Sequence, residues 1–132
     1  MKLRWLVESI PDDATLYLRV HQQNIRPDES IRVKAFDNHD GGMSTDWSQY
    51  ARPQDTRKRA KRGPEKYGVV SMNVGLVRSI PQVVSHTPIQ DCPELPDNRA
   101  HTDVIGEKTV EVRVKLGRIV TWAIRQGSTV ED

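Results

Sequence analysis

Hydrophobic residues along this chain come in short runs, and their spacing changes from one run to the next. In ATLYLRV (14–20), Leu16, Leu18 and Val20 share one side of an extended chain, with Tyr17 and Arg19 on the other. That two-residue period is the pattern of a half-buried strand. SIRVKAF (30–36) repeats it with Ile31, Val33 and Ala35 and predicts a second strand, joined to the first by the polar linker HQQNIRPDE. LRWLV (3–7) is a brief apolar run stopped by IPDD. FDNHDGGMSTDW (36–47) is turn chemistry: Asp40, Gly41 and Gly42 supply positions of positive φ, and Ser44 is placed to cap a helix over TDWSQY.

Residues 51–66 read as a short helix broken by Pro53, or as an exposed loop. YGVVSMNVGLVRSI (67–80) begins as a buried strand and ends in one or two helical turns closed by Pro81. QVVS (82–85) and HTDVIG (101–106) are short strands. Between them Pro88, Pro93 and Pro96 exclude a central strand or a helix interior. EKTVEVRVKLGRIVTWAIRQG (107–127) satisfies two periods. Val110, Val112, Val114 and Leu116 alternate, whereas Val112, Leu116, Ile119, Val120 and Ala123 form a helical stripe. The length of the segment, and Gly127 at a C-cap position, favour a helix. The predicted class is α+β, a small mixed β-sheet with a C-terminal amphipathic helix on one face.

A length of 132 residues fits a single domain over 1–132. Cys92 stands alone, so no internal disulfide forms, which favours a reducing compartment. No apolar run approaches the ~20 residues needed to span a bilayer. The opening MKLRWLVESIPDD is interrupted by Arg4 and Glu8 and does not read as a signal peptide. A cytoplasmic location is expected. The net charge of +2 is uninformative, but its distribution is not. Residues 51–66 hold seven Lys and Arg against two acids, and the rest of the chain is net negative. This exposed basic segment is an argument for an anionic partner.

Candidate chemistry concentrates in two places. In SHTPIQDCPELPDNRAHTDV (85–104), His86 and His101 bracket a proline-stiffened loop. If strands 82–85 and 101–105 lie side by side, the two imidazoles converge as acid and base, and Asn98 and Arg99 complete a group suited to phosphate or a polarised carbonyl. The simpler alternative is a pair of exposed loop histidines. Metal is not expected: His86, Cys92 and His101 lack a close ligand pair, and DNHDGG (37–42) lacks the alternating acids of a calcium loop. No cofactor is expected. Ser44, Ser71, Ser85 and Cys92 sit in no nucleophile elbow.

The second place is RKRAKR. Arg57, Lys58, Arg59, Lys61 and Arg62 have the charge to bind nucleic acid or an acidic protein surface. Aromatic content is only 5%, so a base-stacking platform is not evident, although Trp47, Tyr50 and Tyr67 flank the stretch. Arg19 joins the candidates as a ligand-binding residue if its face of the strand is covered, since it then needs an anion; a face open to water is the simpler expectation.

Leu16-Tyr17-Leu18-Arg19-Val20, Ala35-Phe36, Ser44-Thr45-Asp46 and Asn98-Arg99-Ala100-His101, ahead of a C-terminal amphipathic segment, resemble a group of small bacterial proteins with no assigned activity. The early strand arginine, the central serine and the late polar loop also resemble NAD-using ADP-ribosyltransferase-like toxins, but the catalytic glutamate of those enzymes has no counterpart here. The expectation is a domain that binds or processes a phosphate-bearing ligand, nucleic acid or nucleotide. The alternatives are a non-catalytic subunit of a larger bacterial assembly and an ADP-ribosyltransferase-like enzyme.

Overall fold

Hydrogen-bond pairing of short strands organises the chain. In the computed structural model, which describes residues 3–130, six strands form one sheet. They are β1 (Thr15–His21), β2 (Met43–Trp47), β3 (Tyr67–Asn73), β4 (Val83–His86), β5 (His101–Ile105) and β6 (Thr121–Ile124), in the order β4-β5-β2-β1-β3-β6. Three helices accompany them: α1 (Pro53–Lys58), α2 (Val74–Ser79) and α3 (Val110–Ile119). The fold is α+β, as the residue pattern predicts, and each strand pairing in it is antiparallel.

The alternation in β1 does what its period requires. Leu16, Leu18 and Val20 are buried on one face of the sheet, where Val70 and Met72 of β3, Val74 and Val77 of α2 and Leu116 of α3 close the core around them. Each such side chain contributes roughly 1.5–3 kcal/mol through removal from water. β1 pairs with β3 along its whole length, from Thr15↔Asn73 to His21↔Tyr67. With β2 it pairs at Leu16↔Trp47 and Tyr17↔Asp46, and beyond that point the two strands part.

Four expectations are corrected. Residues 30–36 do not form a strand. Ile31 makes a single bridge to Ile25, Glu29 adopts φ 69° in the intervening turn, and Val33–Ala35 coil into a 3-10 turn. That turn lowers Phe36 into the core beside Gly117 of α3. Ser44 caps no helix. Asp40 and Gly41, at φ 52° and 96°, reverse the chain so tightly that it leaves the turn as β2. Pro53 starts α1 rather than breaking it, since the first helical turn has no use for the missing N–H. In the last segment both periods are real but belong to different elements. The helix runs from a Thr109 cap to Ile119, and Thr121–Ile124 then pairs with β3, so Gly127 ends no helix. Gly68 makes that pairing possible, because a Cβ there would lie 2.6 Å from the Trp122 ring.

The other face of the sheet carries α1, which packs over β1, β3 and β6. The helix is anchored by Arg57, only 2% exposed. Its guanidinium donates to five carbonyl oxygens: Pro64 at 3.2 Å and Tyr67 at 3.0 Å from Nε, Thr129 at 3.3 Å from Nη1, and Gln126 and Ser128 at 2.9 Å from Nη2. Arg57 is therefore withdrawn from the set of nucleic-acid contacts expected of RKRAKR. It is a buried cation solvated by backbone dipoles, and it ties α1 to the residues after β6. Replacing it with Ala strands five acceptors at once. Arg57→Ala should lower unfolding free energy by about 3 kcal/mol or more in urea melts. Arg57→Lys should fail to restore it, because one ammonium cannot reach carbonyls spread around a planar fork.

Candidate functional site

Strand registers decide which polar residues meet. Tyr17 pairs with Asp46, Asp46 with His101, and Ser44 with Asp103, so these side chains share the face opposite the core, together with Arg19 two residues from Tyr17. Where β1 and β2 part, a cleft of about 350 Å³ opens on this face. Arg19, Ser44, Asp46, Arg59, Asn98 and His101 all line it, as do Tyr17, Tyr67 and Lys61.

Asp46, 3% exposed, is the hub. Its Oδ2 accepts from Thr56 Oγ1 at 2.7 Å and Arg59 Nε at 3.1 Å, both from α1 or its C-terminal end, and its Oδ1 accepts from Asn98 Nδ2 at 2.8 Å. Asn98 in turn accepts the Ala100 N–H at 3.0 Å, and its backbone pairs with Ile89 across the loop. One carboxylate thus holds α1 and the 86–100 loop against β2, and its charge is balanced by Arg59.

Arg19 is in a different position. Its face is partly covered by α1, and the side chain is half-buried. Among the described residues its guanidinium makes one hydrogen bond, to the Thr56 carbonyl at 3.1 Å. Burial pulls its pKa below the ordinary arginine value; Asp46 and Tyr67 oppose that shift and Arg59 adds to it. Arg19 lines a cleft whose central carboxylate already has three donors.

His101 and His86 do not converge. His86 pairs with Thr102, so the two imidazoles project from opposite faces of adjacent strands. His86 is 2% exposed and lies edge-on to Trp47, with Tyr50 stacked alongside. Its Nδ1 accepts the Glu8 N–H at 2.9 Å, so Nε2 carries the proton and donates to the Arg99 carbonyl at 2.7 Å. This arrangement pins the N-terminal segment to the loop. Arg99 points the same way, over the Tyr50 ring at 4.2 Å and 3.8 Å from Glu8, and away from the cleft. Of the loop group expected from sequence, Asn98 and His101 reach the cleft together with Arg19, and His86 and Arg99 do not.

The His101 ring is fixed by Thr87. The Thr87 N–H donates to the His101 carbonyl at 3.0 Å, and His101 Nδ1 lies 3.0 Å from the Thr87 carbonyl and 2.9 Å from its hydroxyl. A carbonyl can only accept, so Nδ1 carries the proton and the Nε2 lone pair faces Ser44 Oγ at 3.3 Å.

The basic segment is divided. Arg57 is buried, Arg59 is engaged by Asp46, and Lys58, Lys61 and Arg62 are exposed, with Lys61 at the cleft. Cys92 is half-buried and bonds Glu94. Among the described residues no three His, Cys, Asp or Glu side chains are grouped to hold a metal, and no helix is long and apolar enough to cross a membrane. The residues missed from sequence are Asp46, Thr56 and Tyr17, together with the placement of Ser44. Their signal was present in the alternation of β1 and in Ser44-Thr45-Asp46, but it required recognising 43–47 as a strand.

Comparison with protein-family models, with curated proteins and with solved structures finds no match to this chain.

The two histidines should separate in stability measurements. His86→Ala removes a buried ring and leaves the part-buried Glu8 N–H and Arg99 carbonyl without it, and should cost about 2–3 kcal/mol in urea melts. His101→Ala, at the half-exposed cleft, should cost less than about 1 kcal/mol.

Proposed function

We propose that the cleft binds a small phosphate-bearing ligand of the nucleotide class. The observation that carries this reading is Arg19, a half-buried guanidinium on the cleft wall with one carbonyl partner and, among the described residues, no ion-paired carboxylate. A phosphate offers oxygens in the geometry that the remaining N–H fork matches, and burial strengthens the pairing. Lys61, also at the cleft, has no acid partner among the described residues, whereas the two acids lining it are engaged: Asp46 by Arg59 and Asp37 by Arg113. Two of the three tyrosines, Tyr17 and Tyr67, line the same cleft and supply ring faces for a base.

A mononucleotide or dinucleotide suits this arrangement better than a nucleic-acid duplex. The cleft is small, and two of the five cations of RKRAKR are turned inward. NAD belongs to the favoured class. Arg19 and Ser44 share the cleft, as the resemblance to ADP-ribosyltransferase-like toxins implies, but no glutamate lines it; the reading is therefore binding of the nucleotide, without transfer of ADP-ribose.

Calorimetric titration with ATP, NAD and pyrophosphate tests this. Binding by the wild-type chain should weaken at least about tenfold in Arg19→Ala, equivalent to about 1.4 kcal/mol. Replacing the exposed Lys58 and Arg62 together with Ala should change affinity less than about threefold, since solvated charges contribute little to a localised contact. Arg19→Ala binding pyrophosphate as well as wild type would end the proposal. Loss of binding in the Lys58/Arg62 variant, with a steep salt dependence for oligonucleotides, would move the ligand to a single nucleic-acid strand.

A further inference from the structure

We propose that Ser44 is a nucleophile activated by His101, which makes this chain a phosphoester-cleaving enzyme. A serine hydroxyl needs a base within hydrogen-bond reach, and the base needs a third group to fix its tautomer. Here Thr87 supplies the third group. Its carbonyl and hydroxyl, 3.0 and 2.9 Å from Nδ1, hold the His101 proton on that nitrogen, and its N–H grips the His101 carbonyl. Pro88 follows Thr87 and limits the backbone there. His101 Nε2 is left as the acceptor, 3.3 Å from Ser44 Oγ, a distance within the looser range of unliganded sites. Ser44 itself is exposed and lines the same cleft as Arg19 and Asn98. A serine on an open strand surface with no oriented base would be an ordinary polar residue; the locked imidazole beside it is what sets Ser44 apart.

The step balances with groups at hand. Ser44 Oγ bonds to phosphorus, the bond from phosphorus to the esterified oxygen breaks, and the Ser44 proton, carried by His101 Nε2, passes to the departing alcohol. Water then attacks the phosphoseryl phosphorus, giving a proton to the same nitrogen. Phosphate leaves, and the proton returns to Ser44 Oγ. Arg19 would neutralise charge on the non-bridging oxygens. The choice of a phosphoester as substrate rests on the nucleotide-class reading of the cleft, whereas the Ser44–His101 pair rests on its own geometry.

An alkyl fluorophosphonate separates the two. Attack by Ser44 forms the oxygen–phosphorus bond and expels fluoride, and peptide mass spectrometry of the full chain locates the adduct. The expected result is a single adduct on Ser44, absent in Ser44→Ala and formed about a hundredfold more slowly in His101→Gln, the range for loss of a general base. Saturating pyrophosphate should slow the labelling. An adduct that depends on His101 but forms at the same rate with pyrophosphate present keeps the nucleophile and removes the phosphoester substrate. Absence of any Ser44 adduct in the folded wild-type chain overturns the nucleophile, and if pyrophosphate still binds it leaves the cleft as a binding site alone. Labelling of Ser44 at an unchanged rate in His101→Gln also overturns the pairing.

Discussion

A single buried carboxylate fixes the relation between sheet, helix and loop. Asp46 stands on β2 at the last pair before β1 and β2 separate, and every hydrogen bond it accepts comes from a different direction than the strand that carries it. Thr56 and Arg59 bring α1 down on one side, and Asn98 brings the long β4–β5 loop in on the other. Burying a carboxylate is expensive unless its lone pairs are filled, and here a hydroxyl, an amide and a guanidinium fill them. The cleft is the space those three attachments leave between them.

Arg57 and Lys108 follow a related rule. Each is a buried cation that takes its partners from uncharged oxygens. Lys108 Nζ donates to the Val104 and Gly106 carbonyls and to Asn38 Oδ1, at 2.8–3.1 Å, and burial depresses its pKa. Carbonyl dipoles are fixed by the backbone, so such a cation reports on chain path more than on charge. The contrast with Arg19 is informative: it has one carbonyl partner where Arg57 has five. A guanidinium with so few acceptors is what the proposal of an anionic ligand rests on.

Much of the strand layout was legible because burial on one face imposes a two-residue period. β1 follows from it, while β3 was legible as an apolar run and β4 and β5 as short segments on either side of the proline-rich loop. The misreadings have physical causes. Residues 30–36 alternate, but with Pro27 and the Glu29 turn so close the chain makes one bridge and then coils. Ser-Thr-Asp after a glycine turn fits a helix cap as well as a strand, and only the β5 partner decides. At the site, Arg19, Asn98 and His101 were visible as polar residues in structured places. The separation of His86 from His101 was not, because it depends on register: His86 sits opposite Thr102, and that one-residue offset sends the rings to opposite faces. The division of RKRAKR was equally hidden, since a run of like charges carries no sign of which member turns inward.

The Arg57 clamp also sets an order on how the molecule is made. Three of its five acceptors, the carbonyls of Gln126, Ser128 and Thr129, lie about seventy residues downstream of the guanidinium they solvate. During vectorial synthesis α1 emerges long before them and cannot seat its cation until they arrive. Thr56 and Arg59 travel with that helix, so the wall they build against Asp46 waits as well. The β1–β3 pairing needs only residues up to Asn73, whereas the Arg57 clamp needs residues up to Thr129. Through the loop-closure entropy of that long contact, the seating of α1 beside the cleft is tied to residues far from it in sequence.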